Sequence, residues 1–279
     1  MVASTAPAGT PGRFRWKTYD LAYEVRGHGD TAVVLIHGLL TPSWINGEIA
    51  NRLAARGHQV IFFDLLGHGN SDKPFHASAH RLEYAGQQVV ALLDHLAIDR
   101  AIVGGMSLGA NVALEVAVRA PDRVAGLICE MPVLERGAPG VMLTLLPLLA
   151  VLRYGGRGWD GLVKLVKHLP RGSHEPLNAV LDTGQEARAM AAVMHGYASG
   201  PICPTQAERS AIPVPALIIG HARDWMHPFN DAQALFEELQ DATLLSATSI
   251  LELRAKPDRL MPDIIDFVDE ITAGRSATA

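Results

Sequence analysis

The chain alternates two hydrophobic patterns. Short uninterrupted apolar runs stand at 32–36 (AVVLI), 58–63 (HQVIFF), 100–104, 124–129 and 216–219 (ALII). Runs of that length and composition read as strands covered on both faces. Between them lie stretches whose apolar residues return every three or four positions. At 81–96, for example, Leu82, Ala85, Val89, Leu93 and Leu96 form one helical stripe. The same spacing predicts helices at 45–55, 108–119, 231–239 and 259–271, and a further strand at 243–245. Two short alternating segments, 13–19 and 21–26, predict a leading hairpin. Buried strands alternating with amphipathic helices predict an α/β fold: a mostly parallel, doubly wound sheet with helices on both faces.

One region breaks this rhythm. No strand pattern appears from 134 to 206, where helical stretches at 141–152, 160–168 and 186–197 are separated by Gly-rich and Pro-containing breaks. The expected organisation is a core of 13–133 and 207–274, interrupted by a helical cap at 134–206. Residues 1–12, rich in Ala, Thr, Pro and Gly, read as a flexible N-terminus.

Composition narrows the class. A chain of 279 residues buries about three quarters of its unfolded surface and needs no staples. A net charge of −5 gives no basic surface for nucleic acid. Cys129 and Cys203 lack metal-ligand spacing and cannot form a disulfide framework. The start of the chain lacks the basic and apolar regions of a signal peptide. The most apolar stretch, 141–152, is too short to cross a bilayer and contains Pro147. The expectation is a cytoplasmic protein without metal or cofactor and without an integral membrane segment, acting on a small molecule; assembly into a homo-oligomer is left open.

The candidate chemistry lies at the carboxyl ends of the strands, where open α/β sheets bind ligands. Gly105-Met106-Ser107-Leu108-Gly109 joins a strand to a helix, the setting of a serine nucleophile on a sharp turn. Leu108, at the helix start, can offer its N–H to a developing oxyanion. His37-Gly38-Leu39-Leu40 follows the 32–36 strand and can offer a second donor at Leu39. Asp64-Leu65-Leu66-Gly67-His68-Gly69-Asn70-Ser71 has two glycines of a dinucleotide loop, but Asp72 stands where the third belongs. Asp224 and His227 share the loop after 216–219.

These segments together resemble the α/β-hydrolase superfamily over nearly the whole chain. The resemblance implies a serine-elbow enzyme of the capped type, with Ser107 as nucleophile, Leu39 and Leu108 as oxyanion donors and an acid at Asp224 or, one strand earlier, at Glu130. It also implies a catalytic histidine after the last strand. Counting back from Pro257 lands on Ile250, and the last 52 residues hold no histidine. Removing that base from a serine triad costs about 10⁶ in kcat. His227, three residues after Asp224, is the candidate replacement. His37 and His68 read as structural, His221 as a satisfied core residue, and Glu252 with Arg254 as a solvated pair. His168, His174 and His195 fall in the cap, and nothing singles one out.

Three functions follow. The first is a hydrolase of a small or medium, largely apolar ester, thioester or lactone, esterase-like, with a relocated or missing base. The others are a non-hydrolytic lyase or cyclase on the same scaffold, and a catalytically weak binding protein.

Overall fold

The computed structural model describes residues 9–154, 187–222, 224, 226–250 and 252–276. Eight strands form one sheet: β1 (Thr10–Trp16), β2 (Tyr19–Arg26), β3 (Ala32–Ile36), β4 (Gln59–Phe63), β5 (Ala101–Met106), β6 (Val124–Glu130), β7 (Ala216–His221) and β8 (Ala242–Ala247), in the order β1-β2-β4-β3-β5-β6-β7-β8. β1 and β2 form the expected hairpin, and β2 joins β4 antiparallel. All remaining neighbours are parallel. The hairpin starts earlier than the sequence predicts. Thr10, Pro11 and Gly12, expected in a flexible terminus, pair with Val25, Glu24 and Tyr23.

The continuous apolar runs are explained by two cores, one on each face. Val34, Ile36, Ile61, Phe63 and Val103 face one side, with Ala85, Val89, Leu93, Val112 and Leu235. Their strand neighbours Val33, Leu35, Val60, Phe62 and Ile102 face the other, with Ile49, Leu53, Ile264 and Val268. The first face is covered by α2 (Leu82–His95), α3 (Leu108–Arg119) and α7 (Phe229–Glu238). The second is covered by α1 (Gly47–Ala55) and α9 (Met261–Ser276), helped by Leu253 of a short helix, α8 (Glu252–Ala255), that the periodicity did not reveal.

Among the described residues, the 134–206 segment holds two helices and no strand. α4 (Ala138–Tyr154) and α5 (Ala187–Ala198) match two of the three expected helices; the third, at 160–168, lies outside the described residues. Leu152, Met190, Ala191 and Met194 form a small separate core against Leu39 and Leu40. It ties α4 and α5 to the loop after β3.

A buried ion cluster anchors both ends of this insertion. Arg209, on α6 (Gln206–Ser210), is fully buried. Its guanidinium meets both carboxylate oxygens of Glu238 on α7, at 2.7 and 3.1 Å. It also meets both oxygens of Glu135, just before α4, at 3.0 Å each. A charge so buried is tolerated only because its partners fill the planar donor fork. We expect Arg209→Ala to lose about 3–5 kcal/mol of stability in urea unfolding, because the largely buried Glu238 carboxylate is left without its cation. A loss below about 1 kcal/mol would show that the cluster does not hold the insertion.

Candidate active site

Four neighbouring parallel strands, β3, β5, β6 and β7, deliver their ends to one edge of the sheet. Ser107 follows β5 as the N-cap of α3, with φ 52° and ψ −113°. That left-handed backbone is strained for a residue with a side chain. Neighbouring contacts impose it. A Cβ at Gly105 or at Gly109 would lie 2.2 Å from the Ile36 carbonyl oxygen. Both flanking positions must therefore be bare for β5 and α3 to approach β3. The Ser107 N–H donates to the Glu130 carbonyl of β6 at 2.8 Å, and the Ser107 carbonyl accepts the first helical bond from Asn111. The side chain is left at the crest of the turn.

Ser107 Oγ lies 2.9 Å from His227 Nε2. His227 Nδ1 lies 2.8 Å from Asp224 Oδ2. A carboxylate can only accept, so Nδ1 carries the proton and Nε2 is the acceptor facing the serine hydroxyl. The other Asp224 oxygen accepts the backbone N–H groups of Met226 at 2.9 Å and His227 at 3.1 Å. Burial opposes the Asp224 charge, but the His227 ring and these two N–H groups outweigh it and hold the carboxyl below its usual range. The loop between β7 and α7 thus contributes both side chains, and Pro228 closes it by capping α7.

Glu130, the second candidate acid, is engaged elsewhere. Its buried carboxylate pairs with the Arg254 guanidinium, and His221 Nε2 lies 3.3 Å away. Burial works against this charge too, while Arg254 and His221 hold the carboxyl below its ordinary value. Arg254 also reaches Asn46 Oδ1 at 3.3 Å and Met106 Sδ at 3.1 Å. Glu252 and Arg254 are therefore not a solvated pair. Glu252 is buried, accepts from the Thr248 N–H and hydroxyl, and pairs with Arg259. Ile250 sits in the turn before α8 with 47% of its surface exposed. The final loop is fastened by ion pairs.

His37 and His68 organise the floor of the site. His37 Nδ1 donates to the Gly38 carbonyl at 2.8 Å, and its Nε2 accepts the Leu65 N–H at 3.1 Å. His68 Nε2 accepts the Leu40 N–H at 3.3 Å. Burial lowers both pKa values, so both rings stay neutral. Asp64 accepts the N–H groups of Ser43 and Asn70. These bonds shape the turn that carries Leu39. His221 is buried and faces the Glu130 carboxylate through Nε2 at 3.3 Å, as expected of a core histidine with a partner. His195 is exposed, and His168 and His174 lie outside the described residues.

Above Ser107 lies a cavity of about 220 Å³, bounded by Gly38, Leu39, Leu108 and His227 below and by α4 and α5 above. Its wall is mostly apolar. Met106, Met142, Met194 and Met226 all reach it, giving it four adaptable side chains that the sequence patterns did not single out. The Asn111 amide also lines it, but is used by the backbone of Val133 and Ile202. As the first residue of α3, Leu108 has no acceptor for its N–H inside the helix. Among the described residues no cluster of three or more potential metal ligands occurs, and no helix is long and apolar enough to cross a membrane.

The profile of the alpha/beta hydrolase fold family matches residues 31–159. Curated relatives match parts of the chain of similar length. The dihydrolipoyllysine-residue acetyltransferase component of the acetoin cleaving system of Pseudomonas putida is 42% identical over 106 residues, 38% of this chain and 28% of that protein. The 2-hydroxymuconate semialdehyde hydrolase of Pseudomonas sp. (strain CF600) is 34% identical over 98 residues, 34% of each chain. The chain thus spans about a third of the length of these curated relatives. The crystal structure of the enol-lactonase from Burkholderia xenovorans LB400 superposes with a TM-score of 0.76 at 20% identity, covering 92% of this chain and all of that one. The chain is an α/β-hydrolase-fold protein.

The final loop supplies a pH test. Arg259 above all, with the Thr248 donors, pushes the Glu252 carboxyl down to about 2. A depressed carboxyl contributes stability above its unfolded value, near 4.3, and loses it as pH falls through the folded value. Stability of the wild type minus that of Glu252→Gln is expected to shrink between about pH 4.5 and pH 2. A difference constant across that window would mean that the ion pair does not brace the loop.

Proposed function

We propose that the protein is a serine hydrolase of small or medium apolar esters, thioesters or lactones. Ser107 is the nucleophile, His227 the general base and Asp224 the acid that orients it. The observation that carries this reading is the unbroken hydrogen-bond chain from Ser107 Oγ through the His227 ring to Asp224, at 2.9 and 2.8 Å. The similarity to a 2-hydroxymuconate semialdehyde hydrolase and to an enol-lactonase supports hydrolytic chemistry on this scaffold.

In this mechanism Ser107 Oγ attacks the substrate carbonyl as its proton passes to His227 Nε2. The imidazolium keeps its Nδ1–H on Asp224, which stays ionised and stabilises the ring charge. The Leu39 and Leu108 N–H groups receive the tetrahedral oxyanion, and the start of α3 adds its dipole. As the carbonyl reforms, the leaving group takes the proton from Nε2 and leaves an acyl ester on Ser107. Water, deprotonated by His227, attacks that ester and releases the acid. Helices α4 and α5 act as a cap that keeps the acyl group dry. The relocated base then replaces a histidine after β8 without changing the geometry at the serine.

A fluorophosphonate probe is expected to label Ser107 and nothing else in the wild type. His227→Ala should lower kcat on a short-chain ester by about 10⁴–10⁶, and Asp224→Asn by about 10⁴. Glu130→Gln should reduce stability more than kcat. Full turnover in His227→Ala would reject the relocated base. A loss in Glu130→Gln matching that of Asp224→Asn would move the acid to Glu130.

A further inference from the structure

Tyr197 stands on α5, where it borders both the cavity above Ser107 and a second groove beside α2 and α3. It is the one residue among the described lining that combines a polar hydroxyl with no hydrogen bond to any described residue, apart from the reacting groups themselves. The other polar linings are used. Asn111 is tied to Val133 and Ile202, and the Thr41 hydroxyl to the Gly38 carbonyl. Burial raises the Tyr197 phenol above its ordinary value, so it remains a neutral O–H donor at any working pH.

The position of Tyr197 is held by packing. At its neighbour Gly196, a Cβ would lie 2.3 Å from the His80 carbonyl oxygen and 2.4 Å from that of Ala77. The helix is pressed against the segment before α2 and cannot carry the ring away without breaking that contact. An idle hydroxyl in an apolar wall has a chemical consequence. Covering it with an alkyl chain leaves it unpaired, which costs about 1–3 kcal/mol, whereas covering it with an acceptor oxygen does not. A site that offers a donor discriminates against ligands lacking the acceptor.

We propose that Tyr197 is a specificity-determining residue that donates a hydrogen bond to an oxygen on the acyl chain, so that the substrate is an oxo- or alkoxy-substituted acyl ester or lactone rather than a plain alkyl one. The cavity sets the size. A volume of about 220 Å³ admits a small or medium acyl group. The carbonyl carbon lies at Ser107, and the acceptor is placed further along the chain toward α5. This assignment rests on the hydrolase reading for the reaction, but its binding part stands on the cavity alone.

The test compares p-nitrophenyl hexanoate with its 3-oxo, 4-oxo and 5-oxo analogues on wild type and Tyr197→Phe. At least one oxo ester is expected to exceed hexanoate in kcat/KM by about tenfold in the wild type. In Tyr197→Phe that ratio should fall to near one. The same pairs are measured as non-hydrolysable methyl ketones by calorimetry, where Kd should show the same preference and the same loss. Preference in binding without any turnover would sink the hydrolase reading and leave the tyrosine assignment standing. No preference at any position, or a preference that survives in Tyr197→Phe with unchanged melting temperature, overturns the assignment.

Discussion

The Asp224 carboxylate is the fixed point of the site. Within four residues it accepts two backbone N–H groups and one ring N–H. Those three bonds fold the loop after β7 into a single turn and choose the tautomer of His227. An i,i+3 pair does not ordinarily face a third residue 117 positions upstream of its acid. It does so here because β5 and β7 flank β6 in a parallel sheet, which brings their carboxyl ends to one edge. Remove the carboxylate, and the imidazole loses both its orientation and the partner for its charge.

The same economy explains the rest of the edge. The elbow is strained at Ser107, and the strain is held by contacts that reach other strands: the Ile36 carbonyl against Gly105 and Gly109, and the Glu130 carbonyl on the Ser107 N–H. Glu130 then serves the elbow with its backbone while its side chain pairs with Arg254. Arg254 lies four residues beyond Ile250 and reaches Met106, the neighbour of Ser107. The end of the chain thus contributes a structural brace near the site, in the region where the sequence resemblance implied a histidine.

Much of this was legible from residue patterns. The apolar runs at 32–36 and 216–219 located central strands because burial on both faces leaves no room for alternation. The Gly-x-Ser-x-Gly spacing located the elbow because only bare Cα atoms fit beside β3. The Asp224-x-x-His227 spacing pointed to two side chains that do meet, since a short turn can aim both groups one way. Other features were not legible. Glu252 and Arg254 read as solvated because charges near a helix start usually are; their partners Arg259 and Glu130 are brought to them by the fold. The Arg209 cluster joins residues 74 and 29 positions away, a separation that no local pattern encodes. Tyr197 is only the last residue of a helical stretch in the sequence, and its place beside the cavity is visible only in the fold.

The most direct measurement is a crystal structure of the protein with a phosphonate ester covalently bound to Ser107. The account requires the phosphoryl oxygen to lie about 2.7–3.1 Å from the Leu39 and Leu108 nitrogens. It also requires His227 Nε2 to stay within hydrogen-bond reach of the ester oxygens, with Nδ1 still on Asp224. A His227 ring turned away from the adduct, or a phosphoryl oxygen held by other donors, would contradict it.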